Sequence, residues 1–255
     1  MGDSRIHHRR FFVPAACIRD GGVLFGPAQA HQLTRVLRLR TGDRVSVFDG
    51  TGRELLAALE RTSARSATAR ILHELPGRPA VGVVITLAQV IPRGAAMDFI
   101  VAKATELGVA RIAPLEATQS VRKASARGPR WVRIVQESAE QCGRRDVPEI
   151  AATATLGEFL RPHPSGTPLL ACHAGEGARP LPELCRALDR PAALTLLVGG
   201  EGGLSLGEVG ALRSRGALLA SLGPRLLRAE TAALTALAIL QASLGDLVAS
   251  TLEVP

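Results

Sequence analysis

Two stretches of the 255-residue chain carry residue types suited to holding a small ligand. In the first, a short apolar run at 194–198 reads as a buried strand and meets Gly199-Gly200-Glu201-Gly202-Gly203 at once. Four glycines in five residues allow a tight turn and let a ligand approach bare backbone amides. Ser205 and Glu208 then match a capping box, which predicts a helix starting near Ser205. The second stretch, LGPRLLRAETA at 222–232, comes after another apolar run at 217–222. It sets an arginine pair around two leucines just before a helix start. Exposed amides, apolar walls and fixed positive charge suit a ligand with an aromatic base and a carboxylate. The glycine loop lacks the third glycine of G-x-G-x-x-G and the Gly-Lys-Ser/Thr of a P-loop, so nucleotide phosphate is a poor fit. A plain strand-to-helix turn is the competing reading for either loop.

These segments resemble a known family. VGGEGGLSLGEV is similar to the (I/V)GPEGG(F/L)(S/T)xxE loop of the RsmE family, and LGPRLLRAETA to its LGxRILRxETA segment. KATELGV at 103–109 matches, and ESAEQCGRRDVP at 137–148 resembles ExxEQSxRxxVP. The likeness runs from Arg10-Phe11-Phe12-Val13 to the last helix, with one departure: Gly200 stands where the family usually has proline. The resemblance implies an S-adenosylmethionine-dependent methyltransferase of the SPOUT superfamily, acting on N3 of a uridine in small-subunit (16S) ribosomal RNA. It implies an α/β fold: a small N-terminal PUA-like β-barrel that grips RNA, then a SPOUT α/β domain with a C-terminal trefoil knot. The loops after Cys172, Val198 and Leu222 would form the knot and hold the cofactor. The implied cofactor residues are His173, Val198, Gly199, Gly200, Glu201, Gly202, Leu222, Gly223, Leu226, Leu227, Arg228 and Thr231.

The chemistry asked of such a site is mostly alignment and charge control, because this cofactor carries its own leaving group. Uridine N3 is a poor nucleophile until its proton leaves, and a nearby cation would stabilise the resulting anion. Arg228 is the first catalytic candidate. Glu230 is the second, orienting Arg228 or taking the proton. A structural ion pair and a helix N-terminal acid are the competing readings of the two. Two other functions stay open on the sequence alone. One is a non-catalytic RNA-binding assembly factor with a relic pocket. The other is a methyltransferase on a different RNA target.

The rest of the chain must position those loops. A formal charge of +8 points to an anionic partner, RNA ahead of a membrane. No run of about 18 apolar residues exists, and the basic N-terminus leads into no apolar segment, so a cytoplasmic protein without a membrane span is expected. Cys17, Cys142, Cys172 and Cys185 form no C-x-x-C pair and lack zinc-site spacing together with His163 and His173; no metal is expected.

Residues 1–76 alternate short apolar runs with Gly-rich turns, the pattern of a small barrel, and carry 12 arginines against seven acidic residues. A helical stretch at 29–39 interrupts the pattern, with Leu33, Val36 and Leu37 on one face. Arg9, Arg10, Arg35 and Arg38 are candidate phosphate contacts, as are Arg122, Lys123 and Arg144 further on. A solvated face is the alternative for any one of them. Leu75-Pro76-Gly77-Arg78-Pro79 marks the boundary, and 79–255 alternates strands and helices as a parallel α/β sheet does. Finally, the helix from Thr231 carries leucine, isoleucine and alanine around most of its circumference, which one sheet face would not bury; a homodimer built on that helix is expected.

Overall fold

The computed structural model describes residues 9–77, 82–116 and 128–247. They fall into two compact units, one of residues 9–77 with 136–147, the other of 82–116, 128–135 and 148–247.

The first unit is built on β1 (Arg10–Phe12), β2 (Ile18–Arg19), β3 (Gly22–Phe25), β4 (Arg44–Phe48), β5 (Glu54–Thr62) and β6 (Ala67–Glu74). They form one sheet ordered β1-β4-β5-β6-β3-β2, with β1 parallel to β4 and the other pairs antiparallel. Alternating residues of these strands point inward, so Phe11, Val23, Phe25, Val45, Val47, Leu55, Ala57 and Leu59 make its core. Helix α1 (Pro27–His31) runs on into a wide turn, Gln32–Val36, closed by the Leu37 N–H on the Gln32 carbonyl at 2.9 Å. This five-residue spacing rotates the end of the stretch out of the 3.6-residue register. Leu33 is therefore buried but Val36 is 65% exposed, against the single apolar face expected of the three.

A buried ionic network sits in this unit. Arg10 is only 7% exposed. Its Nε donates to Glu54 at 2.8 Å, and its other nitrogens donate to the carbonyls of Ala139, Glu140 and Arg144 at 3.0–3.4 Å. The guanidinium also lies 4.9 Å from the centre of the Phe48 ring. Ser46 donates to the same Glu54 oxygen, and the Arg145 Nε lies 2.6 Å from the other, an ion pair without hydrogen-bond alignment. Burial pushes the Glu54 carboxyl up, but these donors and charges outweigh it and hold it below the usual carboxylate range. Deleting one member of such a pair leaves a bare buried charge and costs about 3–5 kcal/mol. The phosphate contact expected of Arg10 is thus corrected: its donors are committed inside the protein.

The second unit holds β7 (Val84–Val90), α2 (Ala96–Glu106), β8 (Arg111–Leu115), α3 (Gly128–Cys142), β9 (Glu149–Ile150), α4 (Leu156–Leu160), β10 (Leu169–Cys172), β11 (Arg179–Pro180), α5 (Leu181–Ala187), β12 (Ala193–Val198), α6 (Leu206–Ser214), β13 (Leu218–Ser221) and α7 (Ala229–Leu244). The residues of α3 from Gln136 onward belong to the first unit. The sheet is ordered β11-β13-β10-β12-β7-β8-β9, and every pair is parallel. Parallel strands covered on both faces are apolar throughout, as Leu194, Leu196, Leu197 and Val198 show. α2 stops where Gly108 takes φ +79°, the left-handed residue that closes a helix, and the buried Gln241 amide donates to the Leu107 carbonyl there at 2.8 Å. α7 packs on α2, α5 and β12 through Ala233, Ala236, Leu237 and Leu240, leaving Leu234, Ile239 and Leu244 half-buried. No described helix is long and apolar enough to cross a membrane.

Glu140 yields a test of the first unit. Its carboxylate accepts the Phe12 N–H at 2.6 Å. Burial pushes its pKa up; the Phe12 bond and Arg10 pull it down, Glu137 adds to the rise, and the result is about 7. Because this folded-state value exceeds the unfolded one near 4.5, the folded protein holds the extra proton between those limits, and stability falls as pH rises from about 4.5 to 7. Glu140→Gln keeps an acceptor for Phe12 without the charge. Urea unfolding at pH 5 and pH 8 should show a smaller loss of stability in the variant than in the native chain.

Candidate functional site

Because β12, β10 and β13 are adjacent and parallel, the loops leaving them emerge at one edge of the sheet. There they enclose a cavity of about 230 Å³. The loop after β10 contributes His173, Ala174 and Gly175; that after β12 contributes Gly199, Gly200, Gly202, Gly203 and Leu204; that after β13 contributes Leu222, Gly223, Arg225, Leu226 and Leu227. Cys172, Val198 and Ala220 form its inner end, and Ala229 and Ala232 close it from α7.

The glycine loop is a tight turn in which the Gly203 N–H donates to the Gly200 carbonyl at 3.0 Å. A side chain at Gly199 would stand 3.1 Å from the Gly203 carbonyl group, whereas one at Gly202 would meet no protein atom within 4 Å. A side chain at the first glycine would crowd the turn itself, and the second glycine leaves room beside the cavity. Past the turn, Ser205 caps α6: its hydroxyl accepts the Glu208 N–H at 3.3 Å and Glu208 accepts the Ser205 N–H at 2.8 Å, which confirms the expected capping box. α7 starts with Arg228 as its N-cap residue and Glu230 in its first turn, where an acid complements the positive helix end.

Of the residues expected to meet the cofactor, His173, Val198, Gly199, Gly200, Gly202, Leu222, Gly223, Leu226 and Leu227 are in the cavity wall. Glu201, Arg228 and Thr231 are outside it. The Glu201 carboxylate accepts the Arg93 N–H at 2.7 Å, and Arg228 and Thr231 are exposed at the start of α7. Arg225 is the arginine of the pair that reaches the wall, whereas the motif directs attention to Arg228. Burial pushes the Cys172 thiol up to about 12, so it stays neutral and serves as wall. Among the phosphate candidates, Arg35 and Arg38 are exposed and Arg9 is partly so, 3.8 Å from Asp43. The Arg144 side chain is 14% exposed and pairs with Asp146. Arg122 and Lys123 lie outside the described residues. Among those described, no group of three or more His, Cys, Asp and Glu is placed to hold a metal.

Residues 80–241 match the RNA methyltransferase domain family, and residues 26–72 the RNA methyltransferase PUA domain. The ribosomal RNA small subunit methyltransferase E of Synechocystis is 34% identical, over 92% of this chain and 78% of its own. The chain belongs to the ribosomal RNA small subunit methyltransferase E family. The family resemblance drawn from the motifs therefore holds. Among solved structures, the methyltransferase E of Neisseria gonorrhoeae, bound to S-adenosylmethionine, superposes with a TM-score of 0.84 at 32% identity, covering 94% of this chain and 99% of its own. A protein of Legionella pneumophila in complex with the same cofactor gives 0.82 at 31% identity, covering 92% and 97%. An α/β fold with a PUA domain is accordingly the architecture of this family member.

The two glycines separate by stability. Gly199→Ala must push the Gly203 backbone aside and should cost about 1–3 kcal/mol, whereas Gly202→Ala should change stability by less than about 0.5 kcal/mol. Urea titration of both variants measures the contrast.

Proposed function

We propose that this chain binds S-adenosylmethionine in the cavity at the strand ends and methylates N3 of a uridine in small-subunit ribosomal RNA. The observation that carries the proposal is the convergence of the glycine loop and the LGPRLLRAET segment on one cavity in a member of this family. The residues fit the cofactor. Leu204, Leu222, Leu226 and Leu227 offer apolar surface to an adenine ring, and the open space at Gly202 lets backbone amides come close. Arg225, in the wall, offers a cation to the cofactor's carboxylate. When bound, the cofactor supplies an electrophilic methyl group on a sulfonium.

The chain's own part is positional and electrostatic. The wall fixes where the methyl group is presented. Arg228, exposed at the head of α7 and next to wall residue Ala229, stabilises the uracil anion as N3 loses its proton. Glu230, in the first turn of the helix, orients that arginine or takes the proton. Arg9, Arg35 and Arg38 contact phosphate from the first unit, with Arg122 and Lys123 as further contacts. In the same reading, the chain divides at 76–79 into a PUA-like barrel and a SPOUT domain, the three cavity loops form a trefoil knot, and the protein acts in the cytoplasm without a metal.

Replacing Gly202 by valine should put a branched side chain into the open space beside the cavity without crowding the turn. Calorimetry should then show S-adenosylmethionine affinity lower by at least about a hundredfold, ~2.7 kcal/mol. Labelled methyl transfer to small subunits lacking the modification should be lost with it. Undiminished cofactor affinity in that variant would remove the cavity from the proposal.

The homodimer belongs to the same proposal. Leu234, Ile239 and Leu244 keep partial exposure on α7 after its other face is buried, and a second copy of the helix would cover them. Sedimentation equilibrium at micromolar concentration should give twice the 26.7 kDa chain mass, and Ile239→Asp should return the protein to that of one chain.

A further inference from the structure

The cavity loop is gripped from behind by a segment that does not line the cavity. β7 lies beside β12 in register, with Gln89 opposite Val198, so the chain leaving β7 passes next to the glycine loop. Gln89 is fully buried. Its amide nitrogen donates to the Val90 carbonyl at 2.8 Å and faces the Val198 and Gly199 carbonyls at 3.4 Å each. Three carbonyls around one nitrogen fix which way the amide points, since its oxygen in that place would meet only acceptors. The amide oxygen, buried, has no hydrogen-bond partner among the described residues. Folded proteins seldom leave such a group unmatched. Four residues on, the Arg93 N–H donates to the Glu201 carboxylate at 2.7 Å, at the tip of the same loop. Bonds from a backbone N–H to a carboxylate are among the stronger ones.

We propose that Gln89 and Glu201 are positioning residues for the cofactor loop. Gln89 holds the carbonyls at its start, Glu201 ties its tip to the β7 exit, and the two together keep the loop in its ligand-ready turn. Glu201 thereby acts through Arg93 and not by touching the ligand. The gain is pre-organisation: a loop already ordered loses less freedom on binding. The consequence for cofactor affinity rests on the proposed function; the ordering of the loop does not.

Glu201 is exposed, so its variants test the idea without threatening the fold. In the ligand-free protein, Glu201→Ala should speed amide hydrogen exchange at 202–203 about tenfold, while exchange in α2 and α7 stays the same. S-adenosylmethionine Kd should rise about tenfold, ~1.4 kcal/mol, with KM for the cofactor rising in step and kcat within about twofold. Glu201→Gln keeps an oxygen for the Arg93 N–H and should restore both readouts to within about threefold. Gln89→Met, similar in size but unable to donate, should repeat the Glu201→Ala pattern at 199–203. Exchange unchanged in both Glu201→Ala and Gln89→Met would overturn the proposal. So would a Glu201→Gln variant as weak as the alanine, since the carboxylate would then be meeting the ligand itself. Faster loop exchange in a protein whose native form binds no S-adenosylmethionine would uphold the clamp and remove the cofactor reading instead.

Discussion

Parallel pairing is the constraint on which the site depends. Each of β10, β12 and β13 ends at the same edge, and each must lead into a loop that turns back over the sheet. The three loops are neighbours because their strands are, although β10 ends at Cys172 and β13 only at Ser221. No single loop makes a pocket. The glycine turn supplies close backbone, the LGPRLLRAET segment supplies apolar surface and a cation, and the loop after β10 supplies the third side. The next strand over, β7, joins the arrangement from outside the wall, through Gln89 and the Arg93 N–H.

A second economy concerns arginine. The chain is strongly basic, yet its most family-like arginines are not all available to a nucleic acid. Arg10, Arg144 and Arg145 are drawn inward by Glu54, Asp146 and a set of main-chain carbonyls. The RFF segment and the EQCGRR segment thus serve each other inside the first unit: Arg10 binds the carbonyls of Ala139, Glu140 and Arg144, and Glu140 binds the Phe12 N–H. Exposed Arg35 and Arg38 are different in kind, since they stand on and just after the irregular turn beyond α1, and Arg38 itself takes φ +54°. Net charge describes a partner's sign. Which arginines meet that partner is decided by the packing of the rest.

Much of the architecture is legible in the sequence because it rests on local patterns. The apolar runs of β4, β7, β10, β12 and β13 stand between glycine- or proline-bearing breaks, and the α6 cap is readable from Ser205 and Glu208 alone. The short pieces β2, β9 and β11, two residues each, carry no periodicity to read. Val36 escapes its expected face because a five-residue turn, which no residue type announces, shifts the helical register. At the site, the loops are visible in the sequence but the aim of single side chains is not. Arg225 and Arg228 flank the same two leucines, and only the path of the backbone turns the first into the wall and leaves the second at the helix cap. Likewise nothing local ties Arg10 to Glu54, 44 residues away, or Arg93 to Glu201, 108 away.

At Gly200 the chain lacks the proline of the family motif, and a glycine there leaves the unbound loop freer. The geometry limits the consequence. Gly200 does not take a left-handed φ, so its backbone is open to ordinary residues, and a side chain there would meet Val90 at 3.4 Å, normal contact. Glycine is therefore not favoured at 200 as it is at 199 by crowding and at 203 by φ +70°. Its effect lies in the unordered loop, whose extra freedom costs about 0.4–1 kcal/mol relative to a stiffer residue. The Gly203–Gly200 hydrogen bond and the Glu201–Arg93 hydrogen bond both act at or beside this point. Each is of a size, about 0.5–1.5 kcal/mol for the first and more for the second with its charged acceptor, to offset that loss. A loop that has given up its proline depends all the more on being held by its neighbours.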